Sequence, residues 1–542
     1  MTTTHYGDME MIRRNSVEKG DESDEDGYTT SPSKSYGDGL HHDDNETERV
    51  PFILHQGAYS PTSSSFDKYP EGSNGQTMRE RQLVKKLDYL IMPIAIILYL
   101  GAYLDRGNLE STRPIKGNAN ALGLTKDILQ GSDEQYAWVA SIFYFAYILF
   151  QIPGTSGPKL IPANLWIGGV AVVWGTAAAS QAVIQSYKGI MIARFILGMG
   201  EAGFGAAIPL IFSFWYTKRE IGFRLSIFIG SAAAAGVFGG LLAYCIQNIN
   251  STGIESWRVL FFVESVPVIL AGFFCCFILP DRPATTRWLN EDERQLALSR
   301  LARESSQEVH GSSLNWRHAV MAISDRRLAM CYAIYMGVNI ALASLGNFLP
   351  AIVAGMGYTG ASAQIMTVPP YSVAFVVMTF VNYTSDRSGR RGLFVAFFMM
   401  IGALGYLILL FVHHNDHIRY SAIFLVTSGT YTTIPLMLSW VTANAGSETQ
   451  KVIGLAGLNT FGQTFAILAA HVYPKSAAPY YTLGYGLSCG SQLIASILAL
   501  ALVRTWGQEN SRRDRVYGKP PSDAIVNTAE FGDRAPNFRY ML

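Results

Sequence analysis

From Leu328 to Asn382 the chain carries no Asp, Glu, Lys or Arg. A stretch this long and apolar suits two helical crossings of a hydrocarbon layer about 30 Å thick, at roughly 20 residues each. Apolar segments of similar length recur from Lys86 onward. No water reaches backbone N–H and C=O groups inside a bilayer, so each such segment has to be helical. Composition agrees, with 49% hydrophobic and only 15% charged residues, where a soluble protein carries about a quarter charged. Lys and Arg (42) balance Asp and Glu (41), so nothing points to nucleic acid. The cysteines at 245, 275, 276, 331 and 489 fall in apolar stretches, without metal-ligand spacing or a disulfide framework.

The expected spans are 87–107, 134–154, 163–184, 189–213, 224–247, 258–280, 328–350, 364–384, 392–412, 420–443, 452–473 and 482–504. They give an all-α membrane protein with twelve transmembrane helices in two six-helix bundles. The expected organisation is a disordered cytoplasmic tail (1–84), a first bundle (85–280), a cytoplasmic central loop (281–327), a second bundle (328–505) and a cytoplasmic tail (506–542). The first segment is rich in Ser, Asp, Glu and Gly, includes the acidic block DESDEDGY (21–28) and cannot bury a core. It lacks the apolar region of a signal peptide. RRNS (13–16) fits a basophilic kinase site at Ser16, a pattern that also arises by chance. In the central loop, TRWLNEDERQLALSRLARE reads as one or two amphipathic helices.

Basic residues cluster at 79–86, 218–224, 387–391 and in the central loop. The positive-inside rule therefore puts both termini in the cytoplasm, although Arg113, Lys116 and Lys126 weaken the bias. The sequon at Asn250 then faces outward, where a glycan can attach, while that at Asn45 cannot.

The first span ends in YLDR (103–106). The uncharged run from Tyr89 to Leu104 is too short to cross alone, so the helix is expected to continue through Asp105 and Arg106 inside the membrane. The alternative is that a polar loop starts there. Intramembrane charges are costly and face a cavity or a partner. In the fourth span Arg194 and Glu201 are two helical turns apart, on one face about 10 Å apart along the axis. Two helices thus bring one acid and one arginine each to similar depth. A guanidinium offers a planar fork to a carboxylate, so Arg106 and Arg194 suit an anionic substrate. Asp105 and Glu201 suit proton uptake and release. The alternative is a structural ion-pair network. Asn347, Asn444, Asn459 and Gln463 are amides in apolar segments and can bond substrate or neighbouring helices. His471 lies near the outer mouth, and Glu264 reads as structural.

NYTSDRSGRRGLF (382–394) joins two spans by a tight reversal at Gly389, with Asp386 placed to accept from a helix N-terminus and Arg387, Arg390 and Arg391 beside it. The small residues of GSAAAAGVFGGLLA (230–243) allow close helix approach. The D-R-x-G-R-R hairpin resembles the signature loop of the major facilitator superfamily, and its counterpart GTSGPKLIPANLW (154–166) lacks the acidic residue. With YLDRGN, ARFILGMGEAGFGAAIP, SWRVLFFVES, LPDRPATTRWLNEDER, NFLPAIVAGMGYT and QIMTVPPYSVAF, residues 85–505 resemble the anion:cation symporter family, most of all its fungal allantoate-permease-like branch. FQIPGT and GNLEST depart from the fungal pattern. The resemblance implies proton-coupled import of a small organic anion such as a vitamin carboxylate or ureido acid. Asp105 and Glu201 would carry protons, and Tyr103 and Tyr147 would join Arg106, Arg194, Asn459 and Gln463 at the substrate. The implied location is the plasma or vacuolar membrane. A monomer without cofactor or metal is expected, its partners a small anionic substrate, protons and the bilayer. Alternatives are an exporter of a secondary metabolite and a transporter-like nutrient receptor. No nucleotide loop, metal cluster or nucleophile–base set indicates an enzyme.

Overall fold

The computed structural model describes residues 74–109, 119, 124–129, 132–247, 255–306, 313–354, 366–470, 481–521 and 524–542. Ser16, Asn45, Asn250, His471 and the side chain of Asn347 lie outside the described residues. Among the described residues all extended regular structure is helical. In chain order, leaving out the one-turn helix at 124–127, the first set comprises α1 (Asn74–Gly107), α2 (Asp133–Leu149), α3 (Gln151–Leu160), α4 (Ala163–Gln181), α5 (Tyr187–Gly205), α6 (Ala207–Trp215), α7 (Ile221–Gln247) and α8 (Ser256–Ile278). Two short helices follow, α9 (Glu291–Ala302) and α10 (Trp316–Ile323). The second set comprises α11 (Arg326–Ala354), α12 (Val368–Ser388), α13 (Arg391–Phe411), α14 (Asp416–Asn444), α15 (Glu448–Ala470) and α16 (Thr482–Tyr517).

By length and apolar content, seven of these can cross a membrane, counting α5–α6 as one, and the bent pair α2–α3 makes an eighth. The bend of 48° falls at Phe150. Pro153, third in α3, has no N–H for the Leu149 carbonyl, and its ring crowds that position. Pro209 stands at the same place in α6, after the break at Ala206.

The first set packs α4 on α8, α5 on α2 and α4, and α1 on α7 and α8. In the second, α11 packs on α15 and α16, and α13 on α14 and α16. The sets meet where α7 touches α12 and α14, and where α15 touches α2, α3 and α6. Small residues make these approaches possible. A methyl group on Gly230 of α7 would lie 2.2 Å from the Phe375 ring of α12, which puts this part of the small-residue stripe between the two sets. Large apolar side chains such as Phe273, Phe277, Phe397 and Phe411 point outward, where lipid replaces water as solvent.

Three boundaries differ from expectation. Residues 74–84 form the start of α1, because after Gly75 the stretch QTMRERQLV carries no Gly or Pro and buries Leu83 against the core. The last helix continues past 505 to Tyr517. Residues 524–542 are packed rather than a solvated tail, with Phe538 fully buried. In the central loop, one helix forms from the amphipathic stretch, started by a capping box between Asn290 and Glu293.

Close contacts between helix backbones give a stability prediction. On Gly429 of α14 a Cβ would sit 2.5 Å from the Gly402 nitrogen and 2.6 Å from the Phe398 carbonyl oxygen, both rigid backbone, whereas Gly169 on α4 has open space. Gly429→Val should destabilise by about 1–3 kcal/mol or more, as overpacking does, and lower the melting temperature of detergent-purified protein. Gly169→Val should leave it nearly unchanged.

Candidate functional site

The last turn of α1 carries Tyr103, Asp105 and Arg106, and helical spacing turns them toward α2 and α5. Asp105 is 1% exposed. The helix does continue through the pair, ending at Gly107. Arg106 does not pair with its chain neighbour. Its Nε and an NH2 nitrogen each lie 2.7 Å from Glu201 Oε2 on α5. The guanidinium is boxed by aromatic rings, 5.2 Å from the Tyr103 centroid, 5.3 Å from Phe143 and 4.9 Å from Tyr147. Tyr147 reaches this position because Gly205 is opposite it, where a Cβ would meet its hydroxyl at 2.7 Å.

Arg194, 2% exposed, donates to the backbone carbonyl of Asp105 at 3.5 Å and faces the Phe261 ring at 5.9 Å. Neither carboxylate oxygen of Asp105 meets a hydrogen-bond donor among the described residues. Glu264 on α8 is 4% exposed, accepts from Asn108 Nδ2 and lies within electrostatic reach of both Arg194 and Asp105. The cluster therefore holds three acids and two arginines.

The second set faces this cluster with uncharged groups. Tyr335 on α11 is within electrostatic reach of Tyr103 and Tyr147. It packs with Asn339 on Gly462 of α15, where a Cβ would lie 2.7 Å from Asn339 Nδ2. Gln463 is next in chain and half-buried, while half-buried Asn459 donates to its own helix at Leu455 O, 3.1 Å away. Asn444 is elsewhere, bonded to the backbone of residue 541.

The opposite, basic end of the molecule is closed by contacts between the two sets. Asp386 accepts from the Gly222 and Phe223 backbone nitrogens in the first turn of α7, at 3.2 and 2.8 Å, and from Arg391 at 2.6 Å. Arg391 is fully buried and also donates to the Lys218 carbonyl, while Arg387 and Arg390 are exposed. Gly389 adopts φ +67°, the left-handed turn that a Cβ disfavours. Arg282 and Glu448 form a buried two-pronged pair, one arm at 2.9 Å, and Lys159 Nζ donates to Thr449 Oγ1 at 2.8 Å. Burial pulls the Lys218 ammonium down to about 8, against the pull of Glu304.

A family model for the Major Facilitator Superfamily matches residues 91–470. The chain belongs to the Major Facilitator Superfamily. It is 33% identical over 442 residues to MFS transporter prlL of a fungal species (strain NRRL 50135), covering 81% of this chain and 89% of the relative. It is 31% identical to MFS-type transporter cnsO of Penicillium expansum (85% and 90% covered) and to major facilitator-type transporter hxnP of Emericella nidulans (86% and 94%). Among solved structures, the Escherichia coli fucose:proton symporter FucP covers 76% of this chain and 99% of its own at a TM-score of 0.55. The proton:xylose symporter XylE covers 78% and 96% at 0.53. Both are 14% identical and share the fold. The protein is thus a multi-pass membrane transporter, not an enzyme.

Within this major facilitator fold, sequence reasoning left out Tyr335, Asn339, Asn108 and the position of Glu264. Asn339 carried the available signal, a lone amide in the uncharged run 328–382. Glu264 reads as structural from its place beside Trp257 and Arg258, and its neighbours in space, Asn108 and Arg194, lie outside its own helix.

At the closed end, removing one member of a buried pair strands the other, at a cost of roughly 3–5 kcal/mol. Arg282→Ala should therefore loosen this end, measured as a clear loss of thermal stability. Arg282→Ala combined with Glu448→Ala should recover much of it. Additive losses in the double variant would show that the pair does not couple the two sets.

Proposed function

We propose that this transporter is a proton-coupled symporter that imports a small organic anion by alternating access. The observation that carries the reading is the shared guanidinium: Glu201 occupies the fork of Arg106, the group best shaped to hold a substrate carboxylate. Glu201 and the substrate then compete for one site. Protonating Glu201 removes its charge and frees Arg106, and the incoming carboxylate replaces it without leaving a buried charge unpaired. Tyr103, Phe143 and Tyr147 wall the pocket with apolar surface and hydroxyls. Gln463, Asn459, Tyr335 and Asn339 stand on the other side for the uncharged part of the substrate.

Three acids beside two arginines leave one negative charge in excess, so an anion enters more readily once protons are loaded. Asp105 and Glu264, flanking Arg194, supply the sites for the second proton. We read all twelve expected spans as crossing the membrane, with the basic end cytoplasmic and the charge cluster nearer the outer side. The resemblance of YLDRGN and LPDRPATTRWLNEDER favours the anion:cation symporter family and its allantoate-permease-like branch. A vitamin carboxylate or ureido acid is the substrate class, and the plasma or vacuolar membrane the location.

Uptake of a panel of labelled carboxylates at two external pH values tests the reading. Glu201→Gln, an uncharged mimic of the protonated acid, should abolish pH-driven accumulation while exchange or binding persists. Accumulation with ordinary pH dependence in that variant would remove Glu201 from the coupling.

Arg106→Lys keeps charge and loses the two-pronged geometry. Its uptake should fall with surface abundance intact, because losing such a pair costs roughly 2–5 kcal/mol, about 30-fold or more in affinity. Near-normal uptake by the lysine variant would reduce Arg106 to a structural role.

A further inference from the structure

Residues 524–542 follow the last membrane helix and return across the basic end. Beyond Gly518, which turns the chain at φ +77°, the segment makes contacts of unusual density for a chain terminus. Asn510 and Asn444 each read one residue's backbone in both directions. Asn510 donates to the Tyr540 carbonyl at 2.8 Å and accepts its N–H at 2.9 Å. Asn444 does the same with Met541 at 3.0 and 2.7 Å, and Trp440 Nε1 adds a bond to that carbonyl at 2.9 Å. One arm of Arg513 collects the carbonyls of Asp533, Ala535 and Phe538 at 2.9, 3.2 and 2.9 Å. Gln450 exchanges two bonds with Asp533, at 2.7 and 3.1 Å. Gly446 is required beneath, since a Cβ there would lie 2.2 Å from the Asp533 nitrogen. This is a peptide-binding surface built from the second set, and its occupant is this chain's own segment.

The other end of the segment holds a different body. Val526 N–H donates to the Ala302 carbonyl at the end of α9 (3.1 Å), and Thr528 and Ser306 exchange bonds at 2.8 and 3.0 Å. That helix is anchored to the first set: Lys86 pairs with Glu293 at 2.7 Å, and Glu304 accepts from the Lys218 N–H at 2.7 Å. Phe538, fully buried, also lies 4.0 Å beneath the Lys218 ammonium. The segment therefore spans both sets at the end where Arg282–Glu448 and Lys159–Thr449 already join them. It also grips Asn444, Gly446 and Gln450, which flank the turn carrying Glu448 and Thr449.

We propose that residues 524–542 are a strap that binds the α14–α15 turn and holds the basic end shut, so that opening to that side requires its release. The strap does no substrate chemistry, and the inference needs only a two-state transporter, whatever its cargo. Releasing the strap should shift the resting equilibrium toward the state open at the basic end.

The test uses Thr442→Cys, a buried position beside the closure, in a full-length chain whose native cysteines are replaced by serine. Its rate of alkylation by a maleimide is compared in membranes with that of the same chain ending at Pro521. Truncation should speed labelling about five-fold or more, the shift expected from losing one or two kcal/mol of bridging, and a synthetic peptide of residues 524–542 should slow it again. Phe538→Ala, which removes the ring beneath Lys218 and its packing on Tyr540, and Ser306→Ala with Thr528→Ala, which removes the two bonds they exchange beside α9 and leaves the Val526–Ala302 bond, should give smaller increases in the same direction. Unchanged labelling in the truncated chain would overturn the strap. If that chain fails to accumulate, unchanged labelling in both point variants would overturn it equally.

Discussion

A guanidinium inside a hydrocarbon layer persists only where a counter-charge or a polar cavity meets it, and the centre of this transporter is arranged around that requirement at Arg106. Its fork is filled by Glu201 from α5, and rings close over the remaining faces. The fold must bring α1 and α5 together at one depth to achieve this. The glycines of α5 permit it. Gly198 sits against the Phe143 carbonyl of α2, where a Cβ would be 2.4 Å away, and Gly200 against Trp174 of α4. Packing and electrostatics are thus one problem here, because a bulkier α5 would carry Glu201 away from the charge it neutralises.

The basic end solves the same problem by different means. There, contacts also cross between the two sets: Arg282 pairs with Glu448, and Asp386, which Arg391 of its own set also meets, accepts from the first turn of α7. Each such contact must break when that end opens. The charges exposed by opening then meet water, which lowers the cost relative to leaving them unpaired in the interior. On the proposed cycle, pairs inside the first set stay together while pairs between the sets are made and broken.

The helices were legible because hydrocarbon leaves the backbone no alternative, and the apolar runs mark their own lengths. The continuation of the first helix through Asp105 and Arg106 was legible too, because the apolar run before them is too short to cross alone. Rotation was not. Spacing cannot say that Arg106 turns to Glu201 while Arg194 meets the backbone carbonyl of Asp105, since that depends on how α1 and α5 are rolled by their neighbours. The breaks at Phe150 and Ala206 hid behind prolines that membrane helices often tolerate. Asn444 read as one more amide in an apolar helix, yet its position at the helix end gives it to the strap. The strap itself escaped notice because its apolar residues are interspersed with polar ones, Gly and Pro, and form neither a run of membrane length nor a helical stripe. Its order comes from partners on several other elements, among them His318, Asn444, Gln450 and Arg513, and Phe538 and Tyr540 are the aromatic residues it buries.

The division of labour between the two sets follows from where the charges lie. Asp105, Arg106, Arg194, Glu201 and Glu264 all belong to the first set, and Tyr335 of the second comes within reach of Tyr103 and Tyr147, packed with Asn339 on Gly462. On the proposed coupling, protonation therefore changes the charge of the first set only. An uncharged facing surface can slide past a charged pocket without breaking ion pairs, at the modest cost of exchanging hydrogen bonds of about 1 kcal/mol each. Had the arginines been split between the sets, every cycle would have had to separate them from their acids in the membrane interior. Placing the charge on one side keeps the barrier to alternation at the basic end, where water and the strap control it.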